Sequence, residues 1–264
     1  MADAPPEHRP PPRREGALPD DVAEHMGRLG HEGCTDFRMA SLRDLVLARL
    51  RAGSVLDYGC GTGHVAVAAA AAGRRVTAVD VAPEMREAAR GAAERAGIEL
   101  EVRAPDELGD ERFDNVLCLD VVEHIEDEVP LLAELRDRLT DQGRLILTVP
   151  AHPSLYGTHD SFQGHYRRYT RGVLRQRLER AGLEVERMRH WAMLGAAARW
   201  FWLRVLRRDL ELAGLRYGHG RRTRLQAAAN WALRTWLSVV ENRVPFPFGL
   251  TLLALARRAP TPPR

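Results

Sequence analysis

The 264-residue chain is 45% hydrophobic and 28% charged, the composition of a folded globular protein rather than a collagen-like or disordered one, and no apolar run reaches the roughly 18 residues a membrane span needs. It contains no lysine, so all 39 formal cationic side chains are arginine. The net charge of +3 hides a division: residues 1–150 carry 18 Arg against 29 acids (−11) and residues 151–264 carry 21 Arg against 7 acids (+14), which suggests two jobs, the second with an anionic ligand.

The opening MADAPPEHRPPPRREGALP lacks an apolar core and reads as a flexible Pro/Arg-rich tail over residues 1–19, not a secretory signal. Apolar residues then recur at helical spacing from Leu42 to Leu50, and Gly53 stops that helix. Ser54–Asp57 is a buried strand, followed by a glycine turn and a helix from His64 to Ala72. RRVTAVD gives the second strand, and a helix opens at Pro83, where the missing N–H costs nothing, and ends at Gly97. IELEVRA and FDNVLCLD are the third and fourth strands; Pro130 to Leu139 is a helix, DQG a turn and RLILTVP the fifth strand. This alternation means βαβ units around a parallel sheet.

Past Pro150 a polar loop, AHPSLYGTHDSFQGHYRRYT, leads to a helix over Arg171–Ala181 and a sixth strand, LEVERMRHW. Residues 192–244 read as two helical segments separated by YGHGRRTR, and PFPFGLTLLALARR as a turn and a last apolar strand. Three scattered cysteines (Cys34, Cys60, Cys118) make neither a disulfide framework nor a CxxC metal pair, so a reduced cytoplasmic setting is expected.

Asp57-Tyr58-Gly59-Cys60-Gly61-Thr62-Gly63 lies between a strand and a helix, where glycines let backbone approach a ligand and the helix start offers unpaired N–H groups. The next strand ends in Asp80, 21 residues after Gly59, where a carboxylate can hold a ribose diol. GxGxG spacing, rather than GxGxxG, argues against a dinucleotide. VLDYGCGTG, VTAVD and FDNVLCLDVVEH, in this order, strongly resemble class I S-adenosylmethionine-dependent methyltransferases, over about Phe37 to Trp191 and again at the last strand. The resemblance implies a Rossmann-like, doubly wound, seven-stranded and mostly parallel α/β sheet with S-adenosylmethionine as cofactor. It puts Asp57, Gly59, Gly61 and Gly63 at the methionine part, Asp80 on the ribose hydroxyls, Val81 and Met85 beside the adenine, and Leu119 near the sulfonium. One departure stands out. Where the family shows a Gly-Asp-Ala-like segment toward the adenine, this chain has Arg103-Ala104-Pro105-Asp106, and Pro105 has no N–H to donate; Pro105 and Asp106 stay in the expected cofactor site, with either Asp106 taking over in a shifted loop or the adenine held differently.

Asp120, Glu123 and His124 follow the fourth strand, beside where a methyl acceptor must lie. His124 suits a base because an imidazole titrates near neutral pH. Ubiquinone-pathway O-methyltransferases with Glu-x-x-Glu-His here bind a divalent ion, and Asp120 in place of Glu keeps a hard oxygen ligand, so Mg²⁺ on Asp120, Glu123 and His124 is a secondary reading beside an orienting role. The polar loop should overhang the acceptor, since ligands bind outside the carboxyl ends of the strands. It offers His159 and His165 as catalytic contacts and Tyr156, Tyr166, Arg167 and Arg168 as acceptor contacts, arginine forks suiting phosphate or carboxylate. The alternative is that the two arginines pair internally. The GHYRRYT wording is similar to a small-molecule or lipid-linked subset of these enzymes.

The expected organisation is a core over 20–191, a helical cap inserted over 192–244 and a last core strand and tail over 245–264. The cap, with Trp191, Trp231, Trp236 and scattered arginines, reads as a lid over an apolar acceptor, a homodimer interface or a peripheral membrane-facing surface. The expected activity is methyl transfer to O, N or C of a small, apolar acceptor bearing an anionic group. Rivals are a lipid-directed methyltransferase at the membrane face and a non-catalytic cofactor-binding subunit. No Asn-Pro-Pro-Tyr-type motif follows the fourth strand, which argues against nucleic acid.

Overall fold

The computed structural model describes residues 37–205 and 224–260. The expected tail, residues 20–36 of the expected core and nearly all of YGHGRRTR lie outside the described residues. Seven strands form one sheet in the order β3-β2-β1-β4-β5-β7-β6: β1 (Val55–Tyr58), β2 (Val76–Val79), β3 (Glu101–Arg103), β4 (Phe113–Leu119), β5 (Leu139–Pro150), β6 (Leu183–Trp191) and β7 (Thr251–Arg258). All neighbours are parallel except β7, which runs antiparallel to both β5 and β6. The strand order reverses beside β1, between β2 and β4, so the carboxyl ends of these strands border the crevice such sheets use for ligands.

Helices cover both faces, as a parallel sheet requires. On one face lie α1 (Phe37–Leu47), α2 (His64–Ala71) and α3 (Pro83–Arg95); Leu42, Leu45, Val65, Ala66 and Ala89 pack there with Val55, Leu117 and Leu253. On the other lie α4 (Val129–Asp137) and α6 (Arg171–Arg180), whose Leu132, Leu135, Leu174 and Leu178 meet Leu56, Val116, Leu145 and Leu252. Successive residues along β5 alternate between these cores, Leu145 and Leu147 on one side and Ile146 on the other, as the two-residue strand period dictates.

Two segments depart from the sequence expectation. Helix α4 stops at Asp137, because Leu139 already pairs with Phe113, and the DQG turn is a bulge inside β5 that resumes register at Asn115 opposite Arg144. The loop after β5 is structured as well: a short turn (Pro153–Leu155) and helix α5 (Thr158–Gln163) fill it. Between β6 and β7 come α7 (Met193–Arg204), α8 (Arg224–Thr235) and a π-helical turn (Trp236–Glu241). Buried Glu241 fastens this turn, accepting from the Trp236 indole at 2.7 Å and the Met193 backbone N–H at 2.9 Å.

Candidate active site

The glycine loop begins where β1 ends. Gly59 has φ +74, and a Cβ there would stand 2.5 Å from Val121 Cγ2, so the residue must be glycine for both backbone and space. Gly61, at φ +53, faces open space, as a backbone reserved for a ligand would. Asp80, at the end of β2, is buried; one carboxylate oxygen accepts from Gly61 N–H and the other from Ala82 N–H, both at 2.9 Å. Burial raises its carboxyl, and these two hydrogen bonds oppose the shift. Two backbone donors leave lone pairs on both oxygens for further hydroxyls. Asp57 is deeper still: burial pushes its carboxyl up to about 7, opposed by the Ala66 backbone N–H and reinforced by Asp80.

Val81 is exposed beside Asp80, whereas Met85 is buried beneath α3. Pro105 opens a short 3-10 turn with Asp106 exposed on it, and Glu107, not Asp106, accepts the Ala104 N–H at 2.7 Å. Leu119 ends β4, half-buried. The loop's shape fits S-adenosylmethionine at Asp80 and Gly61, with the third-strand segment as the one poor match.

Beyond β4 the chain turns sharply. Asp120 sits at φ +54, a left-handed conformation uncommon outside glycine, held by its N–H to the Thr148 carbonyl at 3.0 Å and by Thr148 Oγ1 donating to Oδ1 at 2.9 Å. Arg38 of α1 lies 3.5 Å from its other oxygen and also reaches Thr251. This engagement draws Asp120 away from the expected trio. The groups that converge are Glu123, His124 and His165, with one donor atom of each within 4.8 Å of the others. His124 and His165 meet edge to face, ring centroids 4.7 Å apart. Glu123 is fully buried, and neither carboxylate oxygen has a hydrogen-bond partner among the described residues. Burial first, then Asp120, pushes its carboxyl well above the usual range.

His165 is fixed from behind. Its Nδ1 lies 3.2 Å from Oδ1 of Asp160, which is wholly buried and also paired to Arg168 at 2.8 Å and Arg199 at 2.9 Å. Burial opposes the charge on Asp160, but the His165 hydrogen bond and the two guanidiniums outweigh it and hold the carboxyl well below the usual range. His159, one residue earlier on α5, is half-buried.

The expected acceptor contacts fare differently. Arg168 is buried against Asp160 and the Ala151 carbonyl, and Arg167 pairs with buried Glu128, which Arg177 also reaches, so both guanidiniums are engaged within the chain. The Tyr156 hydroxyl donates to the His165 carbonyl at 2.7 Å, and Tyr166 is stacked under Arg167, 5.7 Å from its ring. Arg199 and His190, which stacks on His152 with centroids 5.0 Å apart, escaped sequence reasoning because their partners are distant in the chain. A charged cleft of about 710 Å³, lined by Arg51, Arg136, Glu186 and Arg258, opens at the opposite ends of the strands, away from the glycine loop.

Residues 35–188 match the family model described as a methyltransferase domain. The chain belongs to the methyltransferase-domain family. S-adenosylmethionine is therefore the cofactor of this domain. A ubiquinone biosynthesis O-methyltransferase from Xanthomonas axonopodis pv. citri is 35% identical over 112 residues, 40% of this chain and 47% of that protein; the chain spans under half the length of the curated relatives it matches first. Coclaurine N-methyltransferase, solved with N-methylheliamine and SAH, superposes with a TM-score of 0.56 at 17% identity, covering 91% of this chain and 79% of that one. The [4+2]-cyclase SpnF superposes at 0.53 and 20% identity, covering 83% and 81%. At these identities the likeness shows the fold alone, and a fold hosts more than one chemistry.

Proposed function

We propose that this methyltransferase-domain protein moves a methyl group from S-adenosylmethionine to a hydroxyl oxygen of a small, largely apolar acceptor bearing an acidic group. The observation that carries this is the convergence of Glu123, His124 and His165 beside Val121, the residue packed on the glycine loop. The cofactor, when bound, supplies an electrophilic methyl on a sulfonium. Displacement at that carbon asks the protein for alignment and removal of the hydroxyl proton. His165 is the proposed base, with His124 beside it. The likeness to O-methyltransferases favours oxygen over nitrogen or carbon.

An acidic group is supported by local charge. Around the cluster stand Arg38, Arg168 and Arg199 against Asp120 and Asp160, and burial disfavours the charged form of Glu123. The insertion over 192–244 is read as a lid. Its outer surface shows Leu194, Trp200, Phe201 and Trp231 exposed, which favours a membrane face or a second copy as the next reading; among the described residues no helix is long and apolar enough to cross a membrane. Liposome co-sedimentation and light scattering separate these.

The test is turnover of 3,4-dihydroxybenzoate with S-adenosylmethionine, read as the methyl ether by mass spectrometry. A product whose rate falls about 100-fold in His165→Gln supports the assignment. Absence of SAH binding in calorimetry overturns it, and binding with no turnover of any hydroxyl acceptor favours a non-catalytic subunit instead.

A further inference from the structure

We infer that Arg199, on the insertion helix α7, is a positioning residue that sets the tautomer of the His165 imidazole through Asp160. This rests on His165 facing the acceptor. In sequence Arg199 is one of two charges, with Arg204, in the apolar run WAMLGAAARWFWLRVL. In the structure it is 1% exposed, with Nη2 2.9 Å from Asp160 Oδ2 and Nε donating to the Leu155 carbonyl at 2.9 Å. A fully buried guanidinium is costly to desolvate, and a leucine or methionine would fill that position without the cost. Its place is explained by what it holds.

Asp160 receives groups from three segments. Gly157 N–H, at 3.0 Å, and Arg199 take Oδ2; Arg168 and His165 take Oδ1. An ionised carboxylate only accepts hydrogen bonds, so the imidazole nitrogen facing it must carry the proton. His165 is thereby held as the Nδ1–H tautomer, and its other nitrogen keeps the lone pair a base needs. Arg168 alone does not secure this, since it is shared with the Ala151 carbonyl and bonds only the oxygen His165 uses. Arg199 fixes the second oxygen and, through Leu155, the turn before α5. The insertion between β6 and β7 is thus wired to the acceptor site by one buried ion pair, and its first helix is part of the catalytic arrangement rather than a detachable roof.

The experiment uses the full chain labelled with ¹⁵N-histidine, with His165 assigned by its loss in His165→Gln. Long-range proton–nitrogen correlation reads the tautomer, calorimetry reads SAH affinity, and 3,4-dihydroxybenzoate is the acceptor. Wild type shows the Nδ1–H form. In Arg199→Met, both tautomers appear, kcat falls about tenfold, and SAH affinity and KM stay within about twofold; a lysine, which keeps the charge but not both hydrogen bonds, recovers part of the loss. Should Arg199→Met not fold, Arg199→Lys carries the test through a shifted tautomer ratio and a kcat lowered about threefold. An unchanged tautomer with kcat within twofold of wild type, in whichever variant folds, overturns the inference while leaving His165 as base intact if His165→Gln is slow. Wild-type turnover in His165→Gln overturns the functional assignment itself, and the kinetic role given to Arg199 with it.

Discussion

Asp57→Asn separates a stability cost from a binding role, because the wild-type carboxyl is buried at the end of the central strand. Asp57 is 3% exposed and pairs in register with Ala78 on one side and Leu117 on the other. Burial moves its carboxyl from 3.8 to about 7, a little over three pH units at about 1.4 kcal/mol each, or about 4 kcal/mol. The sign follows from proton counting. Between pH 4 and 7 the folded chain keeps the proton and the unfolded chain does not, so this group favours folding below its unfolded value and the contribution is lost as pH rises through the folded one. Asparagine keeps an oxygen for the Ala66 N–H and cannot ionise. In urea unfolding followed by circular dichroism, the variant's advantage over wild type should be small at pH 4 and approach about 4 kcal/mol at pH 8. Meanwhile, losing the carboxyl should weaken SAH binding by about tenfold or more. A stability gap that stays flat between pH 4 and 8 would refute the buried, protonated carboxyl.

Gly59→Ala combines a left-handed φ with a 2.5 Å clash on Val121 Cγ2; about 2–5 kcal/mol and a melting temperature lower by roughly 5–15 °C are expected in scanning calorimetry. Asp80→Asn leaves one acceptor oxygen for the Gly61 and Ala82 N–H groups, and SAH affinity should drop at least about tenfold, whereas exposed Asp106→Asn should leave it unchanged; equal affinities in the two variants would displace Asp80 from the cofactor. Turnover of 3,4-dihydroxybenzoate should survive excess EDTA; a loss restored by Mg²⁺ would turn Glu123, His124 and His165 into ion ligands. The methyl ester of that acid should show a KM about fivefold or more above the acid, and equal values would remove the acidic group from the acceptor.

The alternation of strands and helices was legible because every parallel strand needs a crossover, and the glycines and prolines that punctuate them, Gly53, Gly73, Pro83, Gly97 and Gly182, mark the joints locally. The β5 start was not. Leu139 looks like the last apolar residue of a helix, and only its pairing with Phe113 assigns it to the sheet. The cofactor side of the site was equally local, a loop and the end of the next strand. The acceptor side was built by long-range pairing: Asp160 and Arg199 are 39 residues apart, and no period links an arginine in a mostly apolar helix to a carboxylate in a polar loop.

The charge division takes on a different meaning once the chain is folded. Part of the basic second half neutralises the acidic first half directly: Arg167 and Arg177 close on Glu128, and Arg258 on Asp137. In return, Glu186 of the second half takes Arg51 and Arg144 of the first. These are pairs between α4, β5 and the elements that pack on them, so the −11 and +14 halves are partly a record of which segments are neighbours. A surplus that an acceptor would feel must be counted within a Debye length of the cluster, where exposed charges elsewhere are screened. There the balance rests on Asp160, one carboxylate between two buried guanidiniums, and on a Glu123 whose charged form burial disfavours. An anionic acceptor is favoured by that local asymmetry, and the global one would stand unchanged without it.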